Sequence, residues 1–289
     1  MNIVWQKESR YALVTCFNNG RGVVVEKQIC PHSVDAGNAH WVNETSRYFR
    51  EKLRRLGVLL AEPYTFEEVD GKAIQYSPYV GQDLEEILTR GLSVASVLEK
   101  LVATMSGVLS QTEREVGIDA RVSNFCLGPD GRVFYVDTFP PLVKYDGNFI
   151  VHFPNPVNPV IVEQELRRKF DPLGVMRRLR FSILEQDSGI SEELILDAVD
   201  KVMGTAFGFQ VREMFYNLPD HKNLEVALGE ITLEDPDGIR EVALRVMPPS
   251  GEARVHFLTE IFNLSSHFCP IKMTDECRLG RIRDLLAGI

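Results

Sequence analysis

Two features that mark membrane and secreted proteins are missing from this chain of 289 residues. No run of about 18 apolar residues occurs, so a membrane-spanning helix is not expected. The N-terminal segment MNIVWQKESR carries Lys7 and Glu8 where a secretory signal peptide would need an apolar core. We therefore expect a protein that is neither exported by that route nor inserted in a membrane.

Paired cysteines and a surplus of basic charge are also lacking. The five cysteines include no C-x-x-C pair, which argues against a disulfide framework and favours reduced thiols in a cytoplasmic protein. His256, His267, Cys269 and Cys277 fit no tight zinc template. Lys and Arg number 32 against 41 Asp and Glu, a formal net charge of -9. Broad binding to nucleic acid needs an excess of cations, so no nucleic-acid partner is expected.

The first part of the sequence reads as strands around one helix. YALVTCF and VVVEKQIC form one predicted hairpin, and YTFEEV and KAIQYS form another around Asp70-Gly71. Between them a helix is predicted from about Asn43 to Leu56, with Asn43 as its N-cap. The order through residue 77 is therefore β, β, α, β, β.

Helices dominate the rest of the sequence. Asp83 and Glu86 have the spacing of a capping box, and Ser93 is the predicted N-cap of a long helix with a buried apolar stripe. A short hairpin, NFCL and RVFYVD, turns at residues 129–131. We expect an α+β fold with a β-rich lobe at residues 1–80 and a mainly helical lobe at residues 81–289. Further helices are predicted at residues 162–170, 173–185, 191–203, 236–246 and 274–287. The basic runs 47–55 and 177–180 are interpreted as solvated helix faces.

One group of polar residues points to chemistry. Asp119 lies five positions before Asn124, and the short hairpin delivers Asp137 thirteen residues later. This spacing resembles the catalytic and metal-binding loops of protein kinases and of aminoglycoside and choline phosphotransferases. The segment SPYVGQDLEEIL, residues 77–88, is similar to the hinge and following helix of the aminoglycoside type. The resemblance covers residues 11–140 in ordered pieces and implies a two-lobed protein-kinase-like fold.

The resemblance implies a role for each residue of the loop. Asp119 would accept the proton of the attacking hydroxyl, Asn124 would ligate Mg²⁺, and Asp137 would bridge the metal to the nucleotide phosphates. Arg121, where many protein kinases carry Lys, would clamp negative charge. Carboxylate and amide oxygens suit magnesium, which is a hard cation.

Residues further upstream complete the nucleotide site that the resemblance implies. Lys27 would grip the α- and β-phosphates, with Val25 on the same strand face as a wall of the base pocket. Tyr79 belongs to the hinge-like segment. Glu44 is the expected ion-pair partner of Lys27, and Glu51, on the same helix face, is its rival.

The sequence departs from the family pattern in three places. Gly117 stands where the catalytic loop usually carries a bracing His. No glycine-rich loop precedes the first predicted hairpin, so the expected phosphate cover is the turn at residues 7–10. The family's Asp-Phe-Gly is replaced by Asp137-Thr138-Phe139-Pro140-Pro141, which is stiffer.

These features together predict transfer of phosphate from ATP or GTP to the hydroxyl of a small molecule, assisted by Mg²⁺. Two alternatives stay open: a pseudokinase that binds a nucleotide or a partner protein without transfer, and an enzyme that transfers the nucleotidyl group to a protein. The segment Lys144 to Phe149 is a candidate contact for the acceptor.

Overall fold

The structure is a computed structural model that describes residues 2–8, 12–20, 22–29, 39–91, 93–150, 166, 168–184 and 190–216. The chain divides into two compact units, Met1–Gly208 and Phe209–Ile289. The first unit holds all the described elements except the part of the helix Thr205–Tyr216 that follows Gly208. The helices predicted at 236–246 and 274–287, together with the histidines and cysteines considered for zinc, lie outside the described residues.

An antiparallel sheet forms the N-terminal part of the first unit. The described strands of this sheet lie side by side in the order β1-β2-β3-β5-β4. The strand β1 is not expected from the sequence, because its residues are all exposed and show no two-residue alternation of apolar side chains. The bounds are β1 Asn2–Glu8, β2 Ala12–Asn18, β3 Val23–Ile29, β4 Thr65–Val69 and β5 Lys72–Pro78.

The predicted hairpins of this sheet are confirmed. Asp70 and Gly71 join β4 to β5 with φ values of 52° and 73°, the left-handed pair that a two-residue type I′ turn requires. Gly20, in the turn between β2 and β3, has a φ of 83° and donates its N–H to Asn18 Oδ1 at 2.9 Å. Local turn chemistry therefore sets the register of both hairpins.

The helix α1 spans Ala39–Arg55 and packs on this sheet. It begins earlier than the sequence predicts, so the assignment of Asn43 as N-cap is wrong. Asn43 is buried inside the helix, and its Nδ2 donates to the Glu67 carbonyl in β4 at 2.8 Å. This polar side chain fastens the helix to the sheet instead of starting the helix.

The following part of the unit is mainly helical. The strands β6, β7 and β8 form a small sheet, and β9 pairs with β10 in a hairpin. The helices predicted at 173–185 and 191–203 are confirmed as α4 and α5. Residues 166 and 168–170 are helical, as predicted for the helix at 162–170. The helix α6 was not expected. The bounds are β6 Gln82–Asp83, α2 Leu84–Thr89, α3 Val94–Leu109, β7 Phe125–Leu127, β8 Val133–Tyr135, β9 Val143–Tyr145, β10 Asn148–Ile150, α4 Pro172–Leu184, α5 Glu192–Met203 and α6 Thr205–Tyr216.

The two predicted caps of this part have different outcomes. Asp83 caps α2 as expected, since its side chain accepts from the Glu85 N–H at 2.8 Å. Ser93 stands at the N-cap of α3 with a φ of 50° and no side-chain capping hydrogen bond. The apolar stripe of α3 is buried as predicted, so packing rather than a cap stabilises this helix.

The α+β class is confirmed. An antiparallel sheet with one helix precedes a mainly helical part, which is the order of elements in a protein-kinase-like fold. None of the described helices is both long and apolar enough to span a bilayer. The lobe boundary at residue 80 stays a prediction.

Candidate functional site

The loop that carries Asp119 and Asn124 connects α3 to β7 and closes on itself. Asn124 is buried, and its Nδ2 donates to the backbone carbonyl of Asp119 at 3.1 Å. The backbone makes a short 3₁₀ turn at Val122–Asn124, where the Asn124 N–H donates to the Arg121 carbonyl at 2.9 Å. Because the amide nitrogen of Asn124 is used internally, its Oδ1 is the atom suited to ligate a cation.

Backbone hydrogen bonds hold the start of this loop, where Gly117 stands. The Gly117 N–H donates to the Leu142 carbonyl at 2.8 Å, and the Ile118 N–H donates to the Lys169 carbonyl at 2.8 Å. A Cβ at Gly117 would lie 2.8 Å from that same Lys169 oxygen and 3.0 Å from the ring of Phe170. The glycine therefore permits a close approach of two backbone segments.

Substituting Gly117 by Ala tests this account. The added methyl group meets a backbone oxygen rather than a flexible side chain, so we expect a loss of about 1–3 kcal/mol in the free energy of unfolding. Urea denaturation measures the loss, and Ser123→Ala, at a half-buried position in the same loop, is the control. Equal stabilities of the two variants would show that the close approach is not needed.

Asp137 lies two residues after the end of the strand β8. The Tyr135 N–H donates to the Leu59 carbonyl at 2.8 Å, and the Val136 N–H donates to the Asn124 carbonyl at 2.9 Å. These bonds tie the residues just before Asp137 to the segment after α1 on one side and to the loop of Asn124 on the other.

The phenol of Tyr135 lies between the two aspartates. Its side chain is fully buried, and its hydroxyl oxygen accepts from the Asp119 N–H at 3.4 Å. Burial first, and then the charges of Asp137 and Asp119, raise the pKa of Tyr135 well above its ordinary value. The buried phenol is therefore neutral, and it contacts the backbone of Asp119.

Lys27 reaches this group from the sheet. Its Nζ lies 2.5 Å from Asp137 Oδ1 and donates more weakly to the Phe139 carbonyl at 3.4 Å. The side chains of Lys27 and Asp137 are 15% and 32% exposed, so the ion pair is partly shielded from water. Residues that the sequence places 110 positions apart therefore meet at the candidate site.

The expected ion pair between Lys27 and Glu44 does not form in this structure. Glu44 is exposed on α1 and accepts a hydrogen bond from the Tyr145 hydroxyl at 2.8 Å. Glu51, the rival, pairs with Arg55 one helical turn later. The physical reason is that the Lys27 ammonium pairs with Asp137 instead. Tyr145 of the β9–β10 hairpin is the hydrogen-bond partner of Glu44.

Val25, the residue proposed as a wall of the base pocket, has neighbours on both adjacent strands. Val25 is half-buried on β3, opposite Cys16 on β2 and Ser77 on β5. Lys27 lies two positions after Val25, so both lie on the same face of the sheet, as predicted. The residue predicted to contact the nucleotide base and the residue predicted to bind its phosphates therefore lie on one strand.

Tyr79 begins the connection between the sheet and the helical part. Its N–H donates to the Val23 carbonyl at 3.0 Å, while its side chain is 45% exposed. Partial burial and the neighbouring thiols of Cys126 and Cys16 raise the pKa of Tyr79. Both thiols therefore lie near the hinge-like segment.

Positive charge surrounds Asp119. Burial by itself would raise the pKa of this carboxyl, but the cations Lys169, Arg178, Arg121 and Arg168 outweigh it and lower the pKa to about 2. Arg178 Nε lies 3.7 Å from Asp119 Oδ1. Asp119 is therefore ionised throughout the neutral range.

Several important residues were missed because basic runs were interpreted as solvated. Arg178 and Arg180 of α4 are buried, and Arg180 Nε donates to Glu192 of α5 at 2.8 Å. Arg50 of α1 is only 4% exposed and faces the segment after Asp137. The position of Arg50 in the sequence could have indicated its burial. Arg50 follows Phe49 and precedes Leu53 on the apolar face of the helix, and both of these residues are fully buried.

A magnesium ion would need ligands from both the protein and a nucleotide. Within the described residues, no group of three or more His, Cys, Asp or Glu side chains could hold a metal. Asn124 and Asp137 provide an amide oxygen and a carboxylate on segments joined by the hydrogen bond from the Val136 N–H to the Asn124 carbonyl. This donor set fits the usual binding of Mg²⁺ through a few protein oxygens plus substrate phosphates.

The chain is similar to solved kinase domains. A mutant form of the PknI kinase domain of Mycobacterium tuberculosis has 17% identity, with 64% of this chain and 71% of that chain covered and a TM-score of 0.39. A second structure of that kinase domain has 16% identity, the same coverage and a TM-score of 0.37. No protein-family model matches the chain, and no curated protein sequence matches it. The fold assignment depends on the elements and contacts described above.

Proposed function

We propose that this chain is a magnesium-dependent phosphotransferase that moves a phosphoryl group from ATP or GTP to a hydroxyl group of a small molecule. The observation that carries the proposal is that Lys27 reaches, from the distant sheet, the loop and hairpin that bear Asp119, Asn124 and Asp137. Phosphoryl transfer asks a protein mainly for positioning and for charge neutralisation, and these side chains supply both.

In this proposal each residue has a distinct task. Lys27 binds the nucleotide phosphates, and Asp137 with Asn124 Oδ1 would hold Mg²⁺, which supplies positive charge against the phosphates when bound. Asp119 accepts a hydrogen bond from the acceptor hydroxyl and fixes its direction of attack. With a pKa of about 2, Asp119 is a weak base, so it orients the hydroxyl first and takes the proton late in the reaction.

A small-molecule acceptor is favoured by the segment that follows Asp137. Pro140 and Pro141 each fix their own φ, and β9 begins at Val143. This segment is short and stiff where protein kinases carry a long regulated loop. The free thiols of Cys16 and Cys126 support a reducing, cytoplasmic setting.

Nucleotide binding tests the proposal directly. We expect wild-type protein to bind a non-hydrolysable ATP or GTP analogue with Mg²⁺, and Asp137→Asn to weaken that binding by at least about 10–100-fold, since even outer-shell changes at metal sites have effects of that size. Isothermal titration calorimetry with and without Mg²⁺ measures the affinity.

The matched control is Asp146→Asn. Asp146 is exposed in the β9–β10 turn with a φ of 47°, a conformation that Asn tolerates well. The control should bind like wild type. Absence of Mg²⁺-dependent nucleotide binding by wild type, or equal binding by both variants, would remove the proposal.

A pseudokinase is the second candidate, and the direct contact between Lys27 and Asp137 favours it. That contact engages the phosphate-binding and metal-binding groups with each other. Nucleotide binding without any turnover would support the pseudokinase. The nucleotide affinity should then be the same in Asp119→Asn as in wild type. An increase in the mass of the intact protein by one nucleotidyl group after incubation with ATP would indicate the third possibility, nucleotidyl transfer.

A further inference from the structure

We propose that a cavity between α1 and the start of β4 binds a small molecule that carries two phosphate groups. This cavity, called here the arginine pocket, has a volume of about 470 Å³. None of its residues is assigned above to the nucleotide, the metal or the acceptor, so the inference does not depend on the proposed function. Its walls include Arg47, Arg50 and Arg54 of α1 and Tyr64, Thr65 and Phe66 of the facing segment.

The three arginines of the arginine pocket share one side of α1. They follow one another at intervals of three and four residues, the spacing that brings side chains together on a helix surface. Burial lowers the pKa of Arg50, and the nearby charge of Arg54 lowers it further, because like charges at this spacing repel each other. The helix therefore concentrates positive charge on the pocket.

The carboxylates that line the arginine pocket are engaged elsewhere. Glu62 Oε1 lies 3.1 Å from Arg50, and Glu51 pairs with Arg55 one turn along the helix. Within the described part of the chain, neither Arg47 nor Arg54 has a carboxylate partner. Both side chains are exposed. Two guanidinium groups are therefore available to bind an anion, and each can do so with two parallel hydrogen bonds.

Arg50 forms a fixed wall between these two cations. It is only 4% exposed, and its guanidinium donates to the Ala61 carbonyl at 2.7 Å and to Thr138 Oγ1 at 3.3 Å. The same group lies over the Tyr64 ring, 3.5 Å from the ring centre. Since its donors are used inside the protein, Arg50 shapes the pocket, and Arg47 and Arg54 are left to contact the ligand.

Aromatic rings form the opposite wall. The rings of Tyr64 and Phe66 lie 5.0 Å apart, and the central carbon of Arg47 lies 4.9 Å from the centre of the Phe66 ring. This cation–π contact orients Arg47 without using its hydrogen-bond donors. The pocket thus combines free cationic groups with an apolar surface, which suits anionic groups carried on a compact carbon body.

The size and the spacing of the arginine pocket favour a small bisphosphorylated ligand. Small-molecule sites are typically about 300–1,000 Å³ in volume, a range that includes this cavity. Arg47 and Arg54 are seven residues apart, which is about 10 Å along a helix axis. Two phosphates at the ends of a short carbon chain can each meet one guanidinium, and the planar guanidinium matches the geometry of phosphate oxygens.

A series of sugars with two, one and no phosphates tests the inference. The probes are fructose 1,6-bisphosphate, fructose 6-phosphate and fructose, titrated calorimetrically into the whole chain without nucleotide or Mg²⁺. We expect the bisphosphate to bind with a Kd lower than that of the monophosphate by about tenfold or more, and fructose to bind more weakly still. The differences should shrink as the salt concentration is raised.

Single variants locate the bound phosphates. Arg47→Gln and Arg54→Gln should each raise the Kd for the bisphosphate by about tenfold, towards the value for the monophosphate, because each removes one charge pair. Both positions are exposed, so the variants should fold like wild type. Arg90→Gln is the matched control, since Arg90 is an exposed arginine on α2 that is paired with Glu86 and lies outside the pocket.

Three results would overturn the inference. The first is equal affinity for the three sugars, or no binding of the bisphosphate at all. The second is that Arg47→Gln and Arg54→Gln bind the bisphosphate as tightly as Arg90→Gln does. The third is loss of binding in Lys27→Gln with no change in the two pocket variants, which would place the phosphates in the candidate nucleotide site. Failure of wild type to bind a nucleotide with Mg²⁺ would remove the proposed function alone.

Discussion

Replacing Asp119 by Asn should lower the rate of phosphoryl transfer by about 100- to 10,000-fold, the range expected for loss of a positioned general base. Asn keeps the shape of the side chain but cannot accept the proton of the acceptor hydroxyl. Because Asn124 contacts the backbone carbonyl of Asp119 rather than its side chain, the metal-binding part of the loop should keep its geometry. Nucleotide affinity should therefore be nearly unchanged, and steady-state transfer assays beside calorimetric titrations would show the separation.

Asp197→Asn is the control for this substitution, since Asp197 is exposed on α5. It should keep wild-type transfer and wild-type affinity. Transfer by Asp119→Asn at the wild-type rate would contradict the role given to this carboxylate. A large loss of nucleotide binding in Asp119→Asn would instead assign the residue to the metal.

The same variant has a pH signature in stability. The carboxyl pKa falls from 3.8 to about 2 on folding, so the ionised form stabilises the fold. That contribution, about 2 kcal/mol, is present above pH 4 and is lost as the pH falls towards 2. Wild type and Asp119→Asn should therefore differ in free energy of unfolding at neutral pH and converge in acid, which denaturant titrations at several pH values would measure.

The second large effect is expected for Arg50→Met, which should lower the free energy of unfolding by about 2–4 kcal/mol. The Arg50 guanidinium donates to the Ala61 carbonyl at 2.7 Å, to Glu62 Oε1 at 3.1 Å and to Thr138 Oγ1 at 3.3 Å. It also stacks on the Tyr64 ring, with its central carbon 3.5 Å from the ring centre. Met keeps much of the apolar volume but leaves the acceptors of the buried residues Ala61 and Thr138 without this donor. Urea denaturation measures the difference.

Arg54→Met is the matched control, because Arg54 is exposed on the same helix. Its stability should stay close to that of wild type. Arg50 also connects α1 to Thr138, the residue after Asp137, so Arg50→Met should weaken Mg²⁺-dependent nucleotide binding more than Arg54→Met does. Equal stability of the two variants would mean that the contacts of Arg50 are not needed for folding.

The residues of the candidate loop could be predicted because their arrangement is local. Asp119, Asn124 and Asp137 occupy one short stretch of sequence, and a turn with a small hairpin is enough to bring them together. Glu44 could not be assigned in the same way. Its partner Tyr145 lies 101 positions away, on a hairpin whose packing against α1 leaves no mark in the local pattern of residues.

Whether a single side chain is buried or exposed was similarly hard to predict. A run of arginines on a helix is usually solvated, and Arg54 and Arg55 follow that expectation. Arg50 does not, because the segment 61–64 and Thr138 close over it after folding. The edge strand β1 was missed for the opposite reason, since all its side chains remain exposed and produce no alternation.

In the proposed phosphotransferase, the Lys27 ammonium would compete with magnesium for the Asp137 carboxylate, because the two side chains form an ion pair. A free metal ion must displace the Lys27 ammonium from the carboxylate, and so it should bind weakly by itself. A nucleotide changes this balance because its phosphates offer the ammonium new anionic partners and release Asp137 for the metal. Metal and nucleotide should therefore strengthen each other's binding reciprocally, as thermodynamic linkage requires, and this lysine would be the device that couples them.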